Sequence, residues 1–182
     1  AAGGISVDLA NNEASSDGDG SSDTFVSIEN VIGSNFDDYI IGDDNANTLT
    51  GRLGDDVFIG GAGVDVINGE YGVDTVDYST HDGVSAVSIT LEGSAEVQAI
   101  LTGGDNDTVS NVENVIGTSG NDELYGDSLD NHMQGGDGDD VMSGGTGDDI
   151  LDGGAGINEV TYDPPLAPSR AITVDMSTAI DG

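Results

Sequence analysis

"GGDGDDVMSGGTGDDILDGG", residues 135–154, is the stretch on which the fold turns. Six of its twenty residues are Asp and eight are Gly. Glycine loses more backbone freedom on folding than any other residue, and crowded carboxylates repel one another. A chain can carry such a composition in ordered form only if each glycine shapes a turn and each acid meets a counter-charge. The stretch divides into GGDGDDVMS and GGTGDDILD, two nine-residue units, and the same division extends outward in both directions.

From Gly33 the units run GSNFDDYII, GDDNANTLT, GRLGDDVFI, GGAGVDVIN and GEYGVDTVD; from Gly117 they run GTSGNDELY, GDSLDNHMQ, GGDGDDVMS, GGTGDDILD and GGAGINEVT. The sixth residues are Asp38, Asn47, Asp56, Asp65 and Asp74, then Asp122, Asn131, Asp140, Asp149 and Asn158. The eighth are Ile40, Leu49, Phe58, Ile67 and Val76, then Leu124, Met133, Met142, Leu151 and Val160. A longer period overlies the short one: IENVIGS (28–34) returns as VENVIGT (112–118), 84 residues later. GISVDLA (4–10) is echoed by VSITLEG (87–93) and AITVDMS (171–177). The chain therefore reads as two copies of a larger unit and the start of a third, and is expected to be a piece of a longer protein.

Composition bounds what such a chain can bind. Its 182 residues hold 36 Asp and Glu against two arginines, Arg52 and Arg170, for a formal charge of −34. That charge opposes compaction. With 35% apolar residues and no Cys or Trp, neither a wide core nor disulfides can offset it, so cations are expected to do so. No basic patch exists to neutralise phosphates, which excludes nucleic acid and anionic lipid surfaces. No apolar run approaches the ~18 residues of a membrane span, so no membrane insertion by this segment is expected. The first thirty residues lack the pattern of a signal peptide.

In each unit six Gly-rich residues make a turn and three make a short strand, of which only the eighth residue faces inward. Two units complete an 18-residue coil, so turns two units apart stack on one edge. Stacking superposes the sixth-position carboxylates, which is repulsive without an ion between them. Ca²⁺ accepts 6–8 hard oxygen ligands in flexible geometry, whereas Mg²⁺ demands a tighter octahedron. Softer metals lack their usual ligands, since Cys is absent and His81 and His132 are the only histidines.

These units resemble the GGxGxDxUx nonapeptide of the RTX (repeats-in-toxin, haemolysin-type calcium-binding) family. The resemblance implies an all-β, right-handed parallel β-roll with Ca²⁺ between stacked turns. It also implies one-step export from a bacterium, unfolded in low-calcium cytosol and folding outside. Carried over residue by residue, the metal pairs are Asp38 with Asp56, Asp56 with Asp74, Asn47 with Asp65, Asp122 with Asp140, Asp140 with Asn158, and Asn131 with Asp149. That makes up to about six ions in the manner of oxygen-caged calcium. Phe36, Asn45 and Leu129 replace the fourth-position glycine, and Asn47, Asn131 and Asn158 replace the acid, so those sites are expected to be weaker or distorted. Asp122 with Asp140 is the best-matched pair. The fifth-position acids Asp37, Asp55, Asp139 and Asp148 read as solvated surface charges.

The expected organisation is a capping segment with an acidic loop (1–32), a first roll block (33–77), a connecting and capping β segment (78–116), a second block (117–161), and a third unit or C-terminal cap (162–182). Tyr39, Ile41, Val57 and Ile59 point outward from block one, and the extended segments (Ile5, Val7, Leu9, or Val87, Ile89, Leu91) are expected to pack against a roll or cap its end. The acidic loops 17–23 and 103–108 read as solvated, with ion binding the lesser alternative. No catalytic arrangement is present: HExxH and GxSxG are absent, and His81 reads as a loop residue. The expectation is a non-enzymatic, extracellular or cell-surface calcium-binding module, with calcium ions and the neighbouring domains of a parent chain as partners. The alternatives are an adhesion, surface-layer or polysaccharide-binding module, or the non-catalytic region of a secreted hydrolase or epimerase.

Overall fold

A computed structural model of the chain describes residues 3–17, 21–81 and 85–162, together with the backbone of 173–174. Among these residues there is strand, turn and bend but no helix. The chain opens with an antiparallel meander, β1 (Ser6–Asp8), β2 (Glu13–Ser16) and β3 (Asp23–Thr24), followed by β4 (Asn30–Ile32). The first five nonapeptides supply β5 (Tyr39–Ile41), β6 (Thr48–Leu53), β7 (Val57–Ile59), β8 (Val66–Tyr71) and β9 (Thr75–Asp77). A second meander, β10 (Val87–Thr90), β11 (Val97–Leu101) and β12 (Asp107–Ser110), leads through β13 (Asn114–Ile116) to the second set. That set is β14 (Glu123–Tyr125), β15 (His132–Gln134), β16 (Val141–Ser143), β17 (Ile150–Asp152) and β18 (Glu159–Val160), with β19 (Thr173–Val174) last.

Consecutive nonapeptide strands alternate between two sheets, because each turn carries the chain from one sheet to the other. One sheet has the order β19-β17-β15-β13-β9-β7-β5-β1-β2-β3 and the other β18-β16-β14-β10-β11-β12-β8-β6-β4. Within each, nonapeptide strands pair in parallel with eighth residues in register, as in Ile40↔Phe58, Leu49↔Ile67 and Leu124↔Met142. Those side chains fill the slot between the sheets: Ile40, Leu49, Phe58, Ile67, Val76, Leu124 and Met133 are fully enclosed. The result is a parallel β-roll with a core one side chain deep per strand. Burial of each such residue contributes about 1.5–3 kcal/mol, which is modest beside the charge it must offset.

The 84-residue period is a structural period. β1 stacks in parallel on β5 (Val7↔Ile40), and β10 stacks on β14 (Ile89↔Leu124). β4 pairs with β6, and β13 pairs with β15. Between the blocks both sheets run on without a break: β12 pairs with β8 (Val109↔Ile67), and β13 with β9 (Val115↔Val76). The "ENVIG" lead-in and the end of the second meander therefore behave as additional coils.

Of the two placements expected for the extended segments, the structure shows the one at the block ends. The segments carrying Val7 and Leu9, and Val87, Ile89 and Leu91, bury those residues in the common core and extend the sheets as further rungs. Tyr39 on the outer face of block one stays exposed, while Ile59 is buried. In addition, β6 and β8 run on into the next turn, pairing Arg52↔Glu70 and Leu53↔Tyr71. Those two turns have Arg and Glu at the second position where later turns have Gly. Of the loop 17–23, residues 18–20 lie outside the described residues, as do 163–172 and 175–182 of the expected third unit.

Candidate metal sites along the two turn edges

The sixth-position residues form two vertical columns. On one edge the N–H of Ile5 donates to Oδ1 of Asp38 (2.7 Å), Asp38 to Asp56 (2.8 Å), Asp56 to Asp74 (2.8 Å), and Asp74 to Oε2 of Glu113 (2.8 Å). The column continues with Asn131, whose N–H donates to Oδ1 of Asp149 at 3.0 Å. On the other edge Asn47 donates to Asp65 (2.8 Å) and Asp65 to Asp107 (2.9 Å). Farther along, Val87 donates to Asp122 (2.7 Å), Asp122 to Asp140 (2.9 Å), and Asp140 to Asn158 (2.9 Å). All six pairs of residues read from the sequence thus meet across one coil. Nine of the ten residues are buried, and Asn158 alone is exposed.

The ladder occupies one carboxylate oxygen and leaves the other. Oδ2 of Asp56, Asp65, Asp74, Asp140 and Asp149 is buried with no hydrogen-bond partner. Asp38 and Asp122 differ, because the N–H of Ser34 and of Thr118 donates to their Oδ2. The amides of Asn47 and Asn131 likewise accept from Asp43 (2.8 Å) and Asp127 (2.9 Å).

Turn chemistry explains the division. In the first two turns of each block the second residue is Ser34, Asp43, Thr118 or Asp127. Its side chain accepts the N–H two residues on, at Phe36 (3.1 Å), Asn45 (2.8 Å), Gly120 (3.0 Å) and Leu129 (2.8 Å). These are local side-chain turns of the kind short polar residues form, and they need no positive φ at the fourth position. The later turns take positive φ at the second and fourth positions, as in Gly136 (105°) and Gly138 (121°). That conformation turns the second-position N–H away from the carboxylate and leaves Oδ2 open.

The chemistry of the open oxygens suits a hard cation. A Cβ placed on Gly135 would collide with Oδ2 of Asp140 and stand 3.0 Å from the Gly153 carbonyl one coil on. At Gly51 it would collide with Oδ2 of Asp56 and stand 2.9 Å from the Gly69 carbonyl. The first-position glycines thus keep clear a space into which a carboxylate oxygen and a carbonyl of the next coil both point. Among the described residues no three His, Asp or Glu side chains converge, so carbonyls must supply most of any ligand set. Such a set fits Ca²⁺ and gives nothing to a softer metal.

Burial, followed by the neighbouring acids, pushes the carboxyl of Asp56 up to about 6 and those of Asp65 and Asp74 up to about 7, against the ladder N–H groups that favour the charged form. Burial likewise raises Asp122, Asp140 and Asp149. These columns hold carboxylates in a setting that resists their charge.

Sequence reading missed two members of the columns. Asp107 and Glu113 lie outside the nonapeptide frame, yet each accepts the ladder bond from the coil below. A signal was present: DTV at 107–109 repeats DTV at 74–76, and Glu113 stands two residues before the core Val115 as each sixth-position acid stands before its core residue. The fifth-position acids are exposed but not merely solvated. Asp55 donates its N–H to Asp37 (3.0 Å), Asp139 to Asn121 (2.9 Å) and Asp148 to Asp130 (2.7 Å), a second ladder of opposite polarity outside the first.

No curated protein matches the chain. Among solved structures, the extracellular lipase LipA from Serratia marcescens matches with 19% identity and a TM-score of 0.42, over 76% of this chain and 29% of the lipase. The profile of the RTX calcium-binding nonapeptide repeat matches in four copies, at residues 27–58, 50–79, 109–128 and 125–160. With more than half its residues in those matches, and with the roll and acid columns just described, the chain belongs to the RTX calcium-binding nonapeptide repeat family.

Proposed function

We propose that the chain is a structural module that closes on calcium outside the cell, as part of a larger secreted or surface bacterial protein. The observation that carries this reading is the set of buried Oδ2 atoms of Asp56, Asp65, Asp74, Asp140 and Asp149 that no protein donor reaches. An unpartnered buried charged oxygen costs more than the ~1–3 kcal/mol of a neutral one. Several in one narrow roll leave the metal-free fold poorly stabilised. Calcium bound between turns would supply the missing counter-charge, with Asp38, Asn47, Asp56, Asp65, Asp74, Asp122, Asn131, Asp140, Asp149 and Asn158 as its side-chain ligands and about six ions at full occupancy. The residues themselves shape the turns, hold the carboxylates in register and exclude water. In this reading the module has a structural rather than a catalytic role.

The test is circular dichroism during calcium titration, with a chelator control. The expected outcome is β structure that appears with calcium and is lost on chelation; β structure unchanged in calcium-free buffer refutes the reading.

A second reading, saccharide binding, has one observation in its favour. An open cavity of about 750 Å³ lies beside β10 and β14, with Leu91, Leu129 and Tyr125 as its apolar lining and Glu92, Asp127 and Ser128 among its polar groups. An aromatic face beside hydroxyl and carboxylate acceptors suits a neutral sugar ring. Retention on bacterial polysaccharides at saturating calcium, lost in Tyr125→Ala, is the expected result; no retention removes this reading.

A further inference from the structure

We infer that Asp107 and Asp65 together hold a calcium ion at the junction of the two blocks, a site outside the nonapeptide frame. This rests on the reading that the open carboxylates of the columns bind calcium. Asp107 belongs to the meander segment GGDNDT (103–108), which the family matches leave out.

Its backbone nevertheless reproduces a nonapeptide rung in both bonds. The N–H of Asp65 donates to Oδ1 of Asp107 at 2.9 Å, and the N–H of Thr108 donates to the Asp65 carbonyl at 2.8 Å. The same two bonds join Asp56 to Asp74 and Thr75 to the Asp56 carbonyl, each at 2.8 Å. Both carboxylates are wholly buried, at 0% exposure, and Oδ2 of each lacks a partner. Among the described vertical pairs, only Asp56–Asp74 and Asp65–Asp107 present two open carboxylate oxygens. In the other pairs of sixth-position residues one oxygen is taken by a turn N–H or replaced by an amide. A buried, doubly open pair of acids is the feature a divalent cation fits; among the described residues no arginine reaches it, and His81 is the basic side chain near Asp107.

The wall of this site is also particular to the junction. Tyr78 is buried there at 1% exposure, and its hydroxyl stands beside Asp107. At the residues 84 positions away the setting differs: Tyr162 is 61% exposed, and Asp23, the counterpart of Asp107, lies exposed in β3. The pair forms where the second unit's meander stacks on the first block, so an ion there ties the second block to the first.

The experiment uses the full chain and two readouts: calcium stoichiometry by native mass spectrometry, and tyrosine-sensitised Tb³⁺ luminescence. Asp107→Asn keeps the ladder acceptor and is expected to bind one ion fewer than the parent chain, whereas Asp105→Asn, on the exposed part of the same loop, binds the full number. Tyr78→Phe leaves both carboxylates in place and is expected to retain the full number of ions while losing part of the sensitised Tb³⁺ emission. An unchanged stoichiometry in Asp107→Asn, or undiminished emission in Tyr78→Phe, overturns the junction site. Absence of calcium binding by the parent chain would instead overturn the functional reading beneath it.

Discussion

The N–H of Asp56 donates to Oδ1 of Asp74 at 2.8 Å, while Oδ2 of both carboxylates is buried without a partner. The bond holds two acids one above the other and does nothing for the outer oxygen of either. Asp56→Asn preserves the acceptor for the N–H of Asp38 and removes one charge. It is expected to raise the calcium concentration for half-maximal folding by about tenfold, the equivalent of ~1.4 kcal/mol. Asp55→Asn, exposed and on the outer ladder, is the control and should leave the midpoint in place. Equal midpoints for Asp56→Asn and the parent chain would remove Asp56 from the ligand set.

Much of this was legible in the sequence, for a physical reason. A nine-residue period fixes which residue faces in, so Ile40, Phe58, Leu124 and Met142 could be placed before any coordinates, and with them the acid columns two residues earlier. What the period could not carry was anything set by an insertion. Asp107 and Glu113 follow a meander that breaks the spacing, and only the strand pairing of β12 and β13 returns them to register. Nor could spacing rank the sites. Asp122 with Asp140 reads as the best match, yet Oδ2 of Asp122 already accepts the N–H of Thr118 and its Oδ1 the Thr118 hydroxyl. Among the six pairs read from the sequence, the one with both Oδ2 atoms open is Asp56 with Asp74.

The response to pH follows from the raised carboxyls. Asp65 and Asp74 are held at about 7 and Asp56 and Asp107 at about 6, burial being the first cause in each case. An unfolded Asp titrates near 4. A group whose folded pKa is raised stabilises the fold fully below its unfolded value, and that contribution is lost as pH rises through the folded value. In metal-free buffer the roll is therefore expected to be most stable below about pH 4–5 and to weaken steadily to pH 7 and above. Circular dichroism in calcium-stripped buffers at several pH values checks this; β structure that increases between pH 5 and 7.5 contradicts it.

Two turns carry a removable strain. Glu70 has φ 70° and Arg52 φ 92°, at the position where Gly61, Gly136, Gly145 and Gly154 stand with positive φ. A side chain in that region costs roughly 1–2 kcal/mol. Glu70→Gly, which also removes a negative charge, is expected to stabilise the calcium-loaded chain by about 1 kcal/mol. Gly72→Ala should act in the opposite sense and more strongly, since its φ is 155° and a Cβ there would collide with the carbonyl of Gly54. Thermal melts at fixed calcium decide both; a lower midpoint for Glu70→Gly would show that Arg52↔Glu70 pairing outweighs the strain.

Thr118 tests how much of the hold on the first-turn carboxylate of a block comes from the protein itself. Its hydroxyl donates to Oδ1 of Asp122 at 2.9 Å and accepts the N–H of Gly120 at 3.0 Å, so one side chain replaces both the αL glycine and part of the counter-charge. Removing it deletes a bond to a charged group and a turn bond together. Thr118→Ala is expected to destabilise the calcium-loaded chain by about 1.5–3 kcal/mol. Thr118→Ser, which keeps the hydroxyl, should lose little. Because the N–H of residue 118 still reaches Oδ2 of Asp122, the number of bound ions should stay the same in both variants. Native mass spectrometry and melts measured together separate the two roles: a lost ion with an unchanged melting point would make Thr118 part of a metal site rather than a support for the Asp122 carboxylate.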